Sequence, residues 1–441
     1  MKSDGAVPVA IVGGGFSGTI LAAHLARTGI DSVLIDGSGR MGRGVAYSTT
    51  EPAHLLNVRA EGMSAWSGEP DHFAKRFEAE GGDRRGFAQR RLFARYLAEI
   101  LEQAHSSGHV QLLETTAVGG AREDGEWLIE LAGGNSIRAK ALVLAVGNQE
   151  PEALRAFASA GDRFIRNPWG SEARSAVAEL ARSGDSALLV GTGLTMVDLV
   201  LSLDSAGHRG KILAVSRRGL IPRGHADFQP APVEAAEVPQ GRARELLRWL
   251  RERSAAVGWR AAIDSLRPHS QLLWQGLDDD QQRRFLRHAR PWWDVHRHRI
   301  APEVADTLKR MIGEGRLEVM AGRVVSATET DAGLEVELRR RGARQSQSQA
   351  FAYAFNCTGP LHSVGLTKDP LLRSLLDAGY VHPDRLGIGL EVDERSRAAG
   401  GELLWALGPL TKGRYWEIIA VPDIREQAAL AAEDIARELN A

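Results

Sequence analysis

The chain has 441 residues, which is enough for two or three domains, each with a core of its own. Lys and Arg total 55 against 56 Asp and Glu, so the overall charge favours neither nucleic acid nor a membrane surface as a partner. Cys357 is the only cysteine, which excludes an intrachain disulfide and a CxxC redox pair. No apolar run approaches the roughly 18 residues that cross a bilayer, and the N-terminus lacks a signal-peptide pattern. We therefore expect a cytoplasmic enzyme.

A strand, a glycine-rich turn and a helix are predicted at the start of the chain. Residues 9–12 form a short apolar run, which is typical of a buried parallel strand. A helical pattern occupies residues 19–27, and a second strand over 32–35 ends at Asp36. Between the first strand and the helix stands a GxGxxG turn, formed by Gly13, Gly14, Gly15, Phe16, Ser17 and Gly18.

Each part of this pattern has a physical role in binding a dinucleotide. Gly13 permits the tight turn, Gly15 lets a diphosphate approach the backbone, and Gly18 lets the helix pack close to the strand. Asp36 lies about twenty residues on, where a carboxylate accepts hydrogen bonds from the adenosine ribose. The pattern predicts an FAD or NAD site, and the alternative is a glycine-rich turn that binds nothing.

Two later strands end in the same way and favour FAD at this first site. The apolar run 140–146 ends at Gly147, and the run 351–355 leads through residues 356–360 past Thr358 and Gly359. Both resemble the Ala-Thr-Gly strand that returns to the FAD domain in flavoproteins with two dinucleotide-binding domains. The chain is therefore expected to leave the FAD domain and return to it.

A second dinucleotide motif follows the apolar strand 186–190. Met196 replaces the third glycine of the motif, and the next strand, 211–215, ends without an acid. Hydroxyl and guanidinium groups at a strand end suit the 2′-phosphate of NADPH, which an acid would repel. We interpret this motif as an NADPH site; the alternative is a remnant half-domain whose arginines are merely solvated. The candidate residues are Gly191, Thr192, Gly193, Leu194, Thr195, Ser216, Arg217 and Arg218.

The predicted fold is α/β, with two Rossmann-like dinucleotide-binding domains for FAD and NAD(P). The FAD domain takes residues 1–155 and 356–441, and the NAD(P) domain takes 156–355 with a helical insertion at about 228–312. The insertion carries a charge cluster that is open to three interpretations: a solvated helix face beside an aromatic core, a site for an acidic substrate or for the NADPH phosphates, or a nucleic-acid surface, which the balanced overall charge disfavours. The cluster comprises Arg283, Arg284, Arg287, Arg290, Arg297 and Arg299, interleaved with Trp292, Trp293, His296 and His298.

Several further segments, in order along the chain, resemble the FAD-NAD(P)-binding protein family. They are residues 42–48, 54–58, 63–64, 191–196, 293–299, 356–360 and 416–425. More distantly, the chain is similar to the flavin N-hydroxylases, including the lysine and ornithine hydroxylases. The resemblance implies that Gly13 to Gly18 and Asp36 hold the adenylate half of FAD, and that Gly408 and a helix beginning near Pro422 close over the flavin ring. It also assigns cofactor contacts to Arg43, Gly44, His54, Asn57, Met63, Ser64 and Trp416.

These expectations combine into one functional hypothesis with two alternatives. The hypothesis is an FAD-dependent oxidoreductase that NADPH reduces, and, by analogy with the N-hydroxylases, a monooxygenase acting on a small amine or acidic molecule. The alternatives are a flavin oxidase or dehydrogenase that does not use NADPH, and a non-catalytic FAD-binding partner protein. No catalytic side chain, substrate identity or oligomeric state is assigned. No metal site is expected, because His296 and His298 lack a carboxylate or cysteine cluster.

Overall fold

The computed structural model describes residues 6–440. The strands of the two sheets are β1 (Val7–Val12), β2 (Ser32–Ile35), β3 (Val110–Leu113), β4 (Ala117–Glu123), β5 (Glu126–Leu131), β6 (Ser136–Leu144), β7 (Phe164–Ile165), β8 (Ala187–Val190), β9 (Ile212–Ser216), β10 (Leu317–Thr330), β11 (Gly333–Arg340), β12 (Gln347–Phe351), β13 (Tyr353–Asn356) and β14 (Leu404–Ala406). The helices are α1 (Phe16–Arg27), α2 (Gly44–Tyr47), α3 (His72–Ala79), α4 (Arg90–Ser106), α5 (Ser171–Ser183), α6 (Leu194–Ser205), α7 (Ala243–Val257), α8 (Trp259–Ser265), α9 (Ser270–Gln275), α10 (Asp279–Arg284), α11 (Arg290–Arg297), α12 (Pro302–Gly313), α13 (Pro370–Asp377) and α14 (Val421–Leu439).

The first sheet has the order β3-β2-β1-β6-β5-β4, with β14 beside the second half of β6. The strands β3, β2, β1, β6 and β14 run parallel, and β5 joins β6 to β4 in an antiparallel meander. The parallel centre is buried on both faces, as its apolar strands require. Helices α1, α4 and α14 cover one face, and α13 contributes to the core on the other.

The second sheet has the order β12-β11-β10-β9-β8-β13-β7. Its centre is again parallel, from the first half of β10 through β9, β8 and β13 to β7. The second half of β10 pairs antiparallel with β11, which pairs with β12. Helices α5, α6 and α12 supply one of its cores.

The two sheets repeat one arrangement. In each, a glycine turn and a helix follow a central strand (β1 or β8), and that strand lies between the next strand of its own half (β2 or β9) and a later returning strand (β6 or β13). This topology confirms the predicted pair of Rossmann-like units. The residue boundaries proposed for the domains stay a prediction.

The insertion is helical and lies against the C-terminal part of the chain. It contains α7 to α11, with a π-helical turn (Phe285–Ala289) between α10 and α11. Trp274 stacks on Trp416 with ring centroids 4.7 Å apart, and its Nε1 donates to the carbonyl of Gly413 at 2.8 Å. Gln271 Nε2 donates to the carbonyl of Trp416 at 2.6 Å. The insertion therefore packs against the C-terminal segment of the chain. Within residues 6–440, no helix is long and apolar enough to cross a membrane.

The space left by Gly18 generates a prediction about stability. A Cβ at this position would overlap the carbonyl oxygen of Gly13, which is backbone and cannot rotate away. We expect Gly18→Ala to lower the free energy of unfolding by about 1–3 kcal/mol, the usual cost of overpacking, as measured by urea denaturation. Gly68→Ala is the matched control, because a Cβ there meets nothing within 4 Å. Equal urea midpoints for the two variants would show that the close approach is not needed.

Candidate dinucleotide-binding site

The first glycine turn lies against the end of the returning strand β6. Gly13 has a φ of +110°, a conformation that favours glycine, and a Cβ there would overlap the carbonyl of Ala145. Gly18 lies under the same turn and approaches the carbonyl of Gly13. Two of the three glycines are thus required by backbone contact within the protein itself.

The third glycine, Gly15, has room at the start of α1, because a Cβ there would make only an ordinary van der Waals contact, 3.8 Å from the Gly44 Cα. Gly15 is the N-cap of that helix, and no side chain caps it. Phe16, Ser17 and Gly18 are buried in the first turn, where the backbone N–H groups have no partner within the helix. A buried helix start without a capping side chain fits a bound diphosphate, whose charge the helix dipole also favours.

Asp36 stands at the end of β2, beside the turn. Its Oδ2 accepts the N–H of Gly14 at 2.6 Å, and its Oδ1 accepts the N–H of Ser38 at 2.7 Å. Each carboxylate oxygen keeps a further lone pair, and the side chain is partly exposed. The carboxylate is therefore oriented by the backbone and can still accept a ribose hydroxyl.

The neighbouring loop and the C-terminal segment complete this side of the site. Gly44, with a φ of +59°, closes on Gly15, and a Cβ on Gly44 would lie 3.0 Å from the Gly15 Cα. Gly408, with a φ of +65°, donates its N–H to Gln427 Oε1 at 2.7 Å. A Cβ on Gly408 would lie 2.6 Å from Ser17 Oγ. The structure thus brings residues from three separate segments to one helix start.

The second glycine turn repeats this geometry at the end of β13. Gly191 has a φ of +120°, and a Cβ there would overlap the carbonyl of Cys357. Gly193 is the N-cap of α6, again without a capping side chain, and a Cβ there meets nothing within 4 Å. Met196, in place of the third glycine, is fully buried in the core beside the sheet. The motif is therefore intact where a diphosphate would lie. It departs from the GxGxxG pattern only at Met196, on the side that packs against the sheet.

The end of β9 supplies hydroxyl and guanidinium groups beside this second turn. Thr192 Oγ1 and Ser216 Oγ are 2.8 Å apart, which joins the turn to the strand end. Ser216 Oγ also accepts the N–H of Gly219 at 3.0 Å. Arg218 donates to the carbonyl of His288 at 3.4 Å, and Arg217 is exposed. Arg217 is thus the guanidinium most available to a ligand here.

Three of the remaining predicted contacts in the segment 43–64 are buried: His54, Met63 and Ser64. His54 is buried, with Nδ1 2.8 Å from Thr49 Oγ1 and Nε2 2.9 Å from the carbonyl of Asp198. Met63 is buried in the core, and the buried Ser64 hydroxyl donates to the carbonyl of Glu69 at 2.6 Å. Arg43 is exposed, and the carbonyl of Asn57 is 3.0 Å from His225 Nε2. The cofactor contacts of all these residues stay a prediction, as do those of Trp416, Gly147, Thr358 and Gly359.

A buried ion pair that local sequence patterns do not predict connects the two nucleotide-binding units. Arg90, at the start of α4, donates through both terminal nitrogens to the two carboxylate oxygens of Asp198 in α6, each at 2.8 Å. Only 11% of the Arg90 side chain and 8% of the Asp198 side chain are exposed. Their separation of 108 residues leaves no local pattern that could have revealed the pair.

Two members of the charge cluster in the insertion prove to be internal. Arg297 Nε donates to Glu417 at 3.1 Å, and Trp293 Nε1 donates to the same carboxylate at 2.5 Å. Arg299 is buried and pairs with Asp264. These arginines therefore hold the insertion together and tie it to the C-terminal segment, so they are neither a solvated face nor a nucleic-acid surface.

The single cysteine is unsuited to nucleophilic catalysis. Cys357 is buried at the end of β13, and burial, followed by the charge of Asp198, raises the pKa of its thiol far above the ordinary value. A thiol held protonated is a poor nucleophile. Within residues 6–440, no group of three or more His, Cys, Asp or Glu side chains is placed to hold a metal ion.

The buried pair of Arg90 and Asp198 generates a second prediction. Asp198→Asn should lower the free energy of unfolding by about 3 kcal/mol in urea titrations, because it leaves the Arg90 charge buried without its partner. The matched control is Asp306→Asn, which breaks the ion pair with Lys309. The side chains of Asp306 and Lys309 are 71% and 76% exposed. That change should cost about 1 kcal/mol or less. Similar losses in the two variants would contradict a structural role for the buried pair.

Comparison with known proteins agrees with this geometry. Residues 10–149 match the model of the FAD-NAD(P)-binding family. No curated protein sequence matches the chain. The predicted resemblance is thus confirmed for the segment that carries the first glycine turn and the returning strand β6.

Solved structures with this fold cover nearly the whole chain. L-lysine 6-monooxygenase from Pseudomonas syringae is 18% identical over 98% of this chain and 99% of its own, with a TM-score of 0.69. An ornithine N-hydroxylase from Kutzneria sp. 744 is 15% identical over 98% and 100%, with a TM-score of 0.65. Thioredoxin reductase from Lactococcus lactis is 13% identical over 98% and 99%, with a TM-score of 0.56. Residues 10–149 are therefore similar to the FAD-NAD(P)-binding family, and the chain shares its fold with amino-acid hydroxylases and with thioredoxin reductase.

Proposed function

We propose that this protein is an FAD-dependent oxidoreductase that NADPH reduces, and that it oxygenates a small molecule as the N-hydroxylases do. The observation that carries the proposal is the second glycine turn: it keeps an uncapped helix start and opens beside an exposed arginine, Arg217. A Cβ on Gly193 would meet nothing within 4 Å, so this helix start has room for a diphosphate.

The first turn suits FAD. Asp36 would accept the adenosine ribose hydroxyls, and the start of α1 would bind the diphosphate. Gly408 and the start of α14 lie on the same side, where a helix N-terminus favours negative charge on the reduced ring. When bound, FAD supplies the redox chemistry, by accepting a hydride from NADPH and giving electrons to oxygen or to another acceptor.

The protein's own part is to position the nucleotides. The start of α6 would bind the NADPH diphosphate, and Arg217 and Arg218 would bind its 2′-phosphate. The pair of Arg90 and Asp198 would hold the two turns in one relative orientation, which hydride transfer requires. No side chain of this chain is assigned as a catalytic acid or base.

The choice of a monooxygenase over a disulfide reductase is supported by two features. The chain has one cysteine, Cys357, which is buried, so it contains no dithiol pair. The lysine and ornithine hydroxylases also superpose with TM-scores of 0.69 and 0.65, against 0.56 for the thioredoxin reductase. The Kutzneria enzyme is described with reduced FAD, NADP+ and L-ornithine, which is the combination of ligands that we propose here in general form: flavin, NADP(H) and a small substrate.

The test is anaerobic stopped-flow spectroscopy of the FAD-loaded protein mixed with NADPH or NADH. We expect NADPH to bleach the visible flavin band. Arg217→Ala should raise the NADPH concentration at half-maximal rate by about tenfold or more, because it removes a charge-assisted hydrogen bond to the phosphate, and should leave the NADH response unchanged. Arg244→Ala is the control, since Arg244 is an exposed arginine of α7 in the insertion.

Two results would contradict the proposal. Bleaching by neither nucleotide would favour the oxidase or dehydrogenase, or the non-catalytic FAD-binding protein. Equal effects of NADPH and NADH, with no response to Arg217→Ala, would remove the 2′-phosphate site. Readmission of air with candidate amines and acids then separates the monooxygenase from a reductase, because only the former yields an oxygenated product.

A further inference from the structure

Three cationic side chains and a histidine from several segments lie beyond the carboxyl ends of the parallel strands. Lys412 follows β14, His362 follows β13, and Arg217 follows β9, so both sheets contribute. Arg290 joins them from the start of α11 in the insertion. Open α/β sheets bind their ligands at the carboxyl ends of their strands. This group, Arg217, Arg290, His362 and Lys412, is called the junction cluster below.

Hydrogen bonds place the members of the junction cluster side by side. Lys412 Nζ donates to the carbonyl of Leu361 at 3.3 Å, which sets it beside His362. Arg218 donates to the carbonyl of His288 at 3.4 Å, which brings the end of β9 against the start of α11. Lys412 therefore lies beside the end of β13, and the residues just before Arg290 lie beside the end of β9.

The charges of the junction cluster are felt by its own members. Burial, followed by the charge of Arg290, lowers the pKa of Lys412 to about 8. Burial, followed by the charges of Arg290, Lys412 and Arg217, lowers the pKa of His362 to about 4. His362 is nevertheless an exposed residue, so solvent reaches it. At neutral pH it is an uncharged hydrogen-bonding group among cations.

Asp294 and Asp384 are the nearby carboxylates, and neither forms an ion pair with Lys412. Asp294 pairs with Arg290 at 3.3 Å. Asp384 lies close enough to raise the pKa of Lys412, but its own oxygens accept the backbone N–H groups of Leu386, at 2.7 Å, and Gly389. Within residues 6–440, no carboxylate forms an ion pair with Lys412. A partly buried ammonium group without a counter-ion is costly unless a ligand supplies one.

We propose that Lys412, Arg290 and His362 form a binding site for the carboxylate or phosphate group of a small-molecule substrate. The ammonium and guanidinium groups supply charge, and the neutral imidazole supplies an N–H donor without adding repulsion. The inference deepens the proposed function and rests on it, because it takes the carboxyl ends of the parallel strands as the place where substrate meets the flavin. It names the substrate class as an anionic small molecule, bound apart from the 2′-phosphate of NADPH.

The test measures anion binding to the FAD-loaded protein by thermal shift at constant ionic strength, which keeps screening fixed. The probes are inorganic phosphate, succinate and NADP+, each alone. We expect phosphate or succinate to raise the melting temperature saturably, and Lys412→Gln and Arg290→Gln each to weaken that binding about tenfold. NADP+ affinity should stay within about twofold of the wild type, as a separate site requires. Lys368→Gln, an exposed lysine between β13 and α13, is the control.

The site is wrong if neither small anion binds saturably, or if both variants bind the anions normally. It is also wrong if the variants lose NADP+ affinity together with anion affinity, because the cluster would then bind a nucleotide phosphate. If Lys412→Gln fails to retain FAD, Arg290→Gln decides, because it lies in the insertion. Reduction by NADPH without small-anion binding overturns this site and leaves the proposed function standing. Anion binding that depends on Lys412, without reduction by NADPH, supports this site and contradicts the proposed function.

Discussion

The buried ion pair between Arg90 and Asp198 connects the two nucleotide-binding units, and the rest of their arrangement is built around it. Arg90 begins α4, which packs against the helix of the first glycine turn, and Asp198 lies in the helix of the second. His54 adds a hydrogen bond from the same loop region to the Asp198 carbonyl. Because the pair is bidentate and shielded from water, it favours one orientation of α4 relative to α6. Hydride transfer between two bound nucleotides needs that constancy more than it needs a catalytic side chain.

The two glycine turns show which parts of the motif are structural and which serve a ligand. Gly13 and Gly191 both press against the carbonyl at the end of a returning strand, and both have positive φ. Gly15 and Gly193 instead cap helices that no side chain caps. The inner position differs, because Gly18 touches backbone whereas Met196 fills a core. A missing third glycine therefore changes how helix and sheet pack and leaves the ligand side intact.

Local patterns predicted most of the fold, because each glycine turn, strand and helix is encoded within a few tens of residues. Contacts between distant segments were not predictable in this way. Arg297 pairs with Glu417, 120 residues away, so the sequence could show a positive cluster but not its neutralisation. His54 illustrates the same limit: the resemblance assigns it to the cofactor, and the structure shows both ring nitrogens near protein partners. The junction cluster needed the fold as well, since its members come from four separate segments.

The most direct test of the central claim is a crystal structure of the protein with FAD and NADP+ bound together. We expect the FAD diphosphate to lie over Gly15 at the start of α1, with the adenosine ribose bound to Asp36. We expect the NADP+ diphosphate to lie over Gly193, with the 2′-phosphate in hydrogen-bond contact with Arg217. A second turn that stays empty under saturating NADP+, or one with the nucleotide bound elsewhere, would contradict the claim that this chain passes electrons from NADPH to flavin.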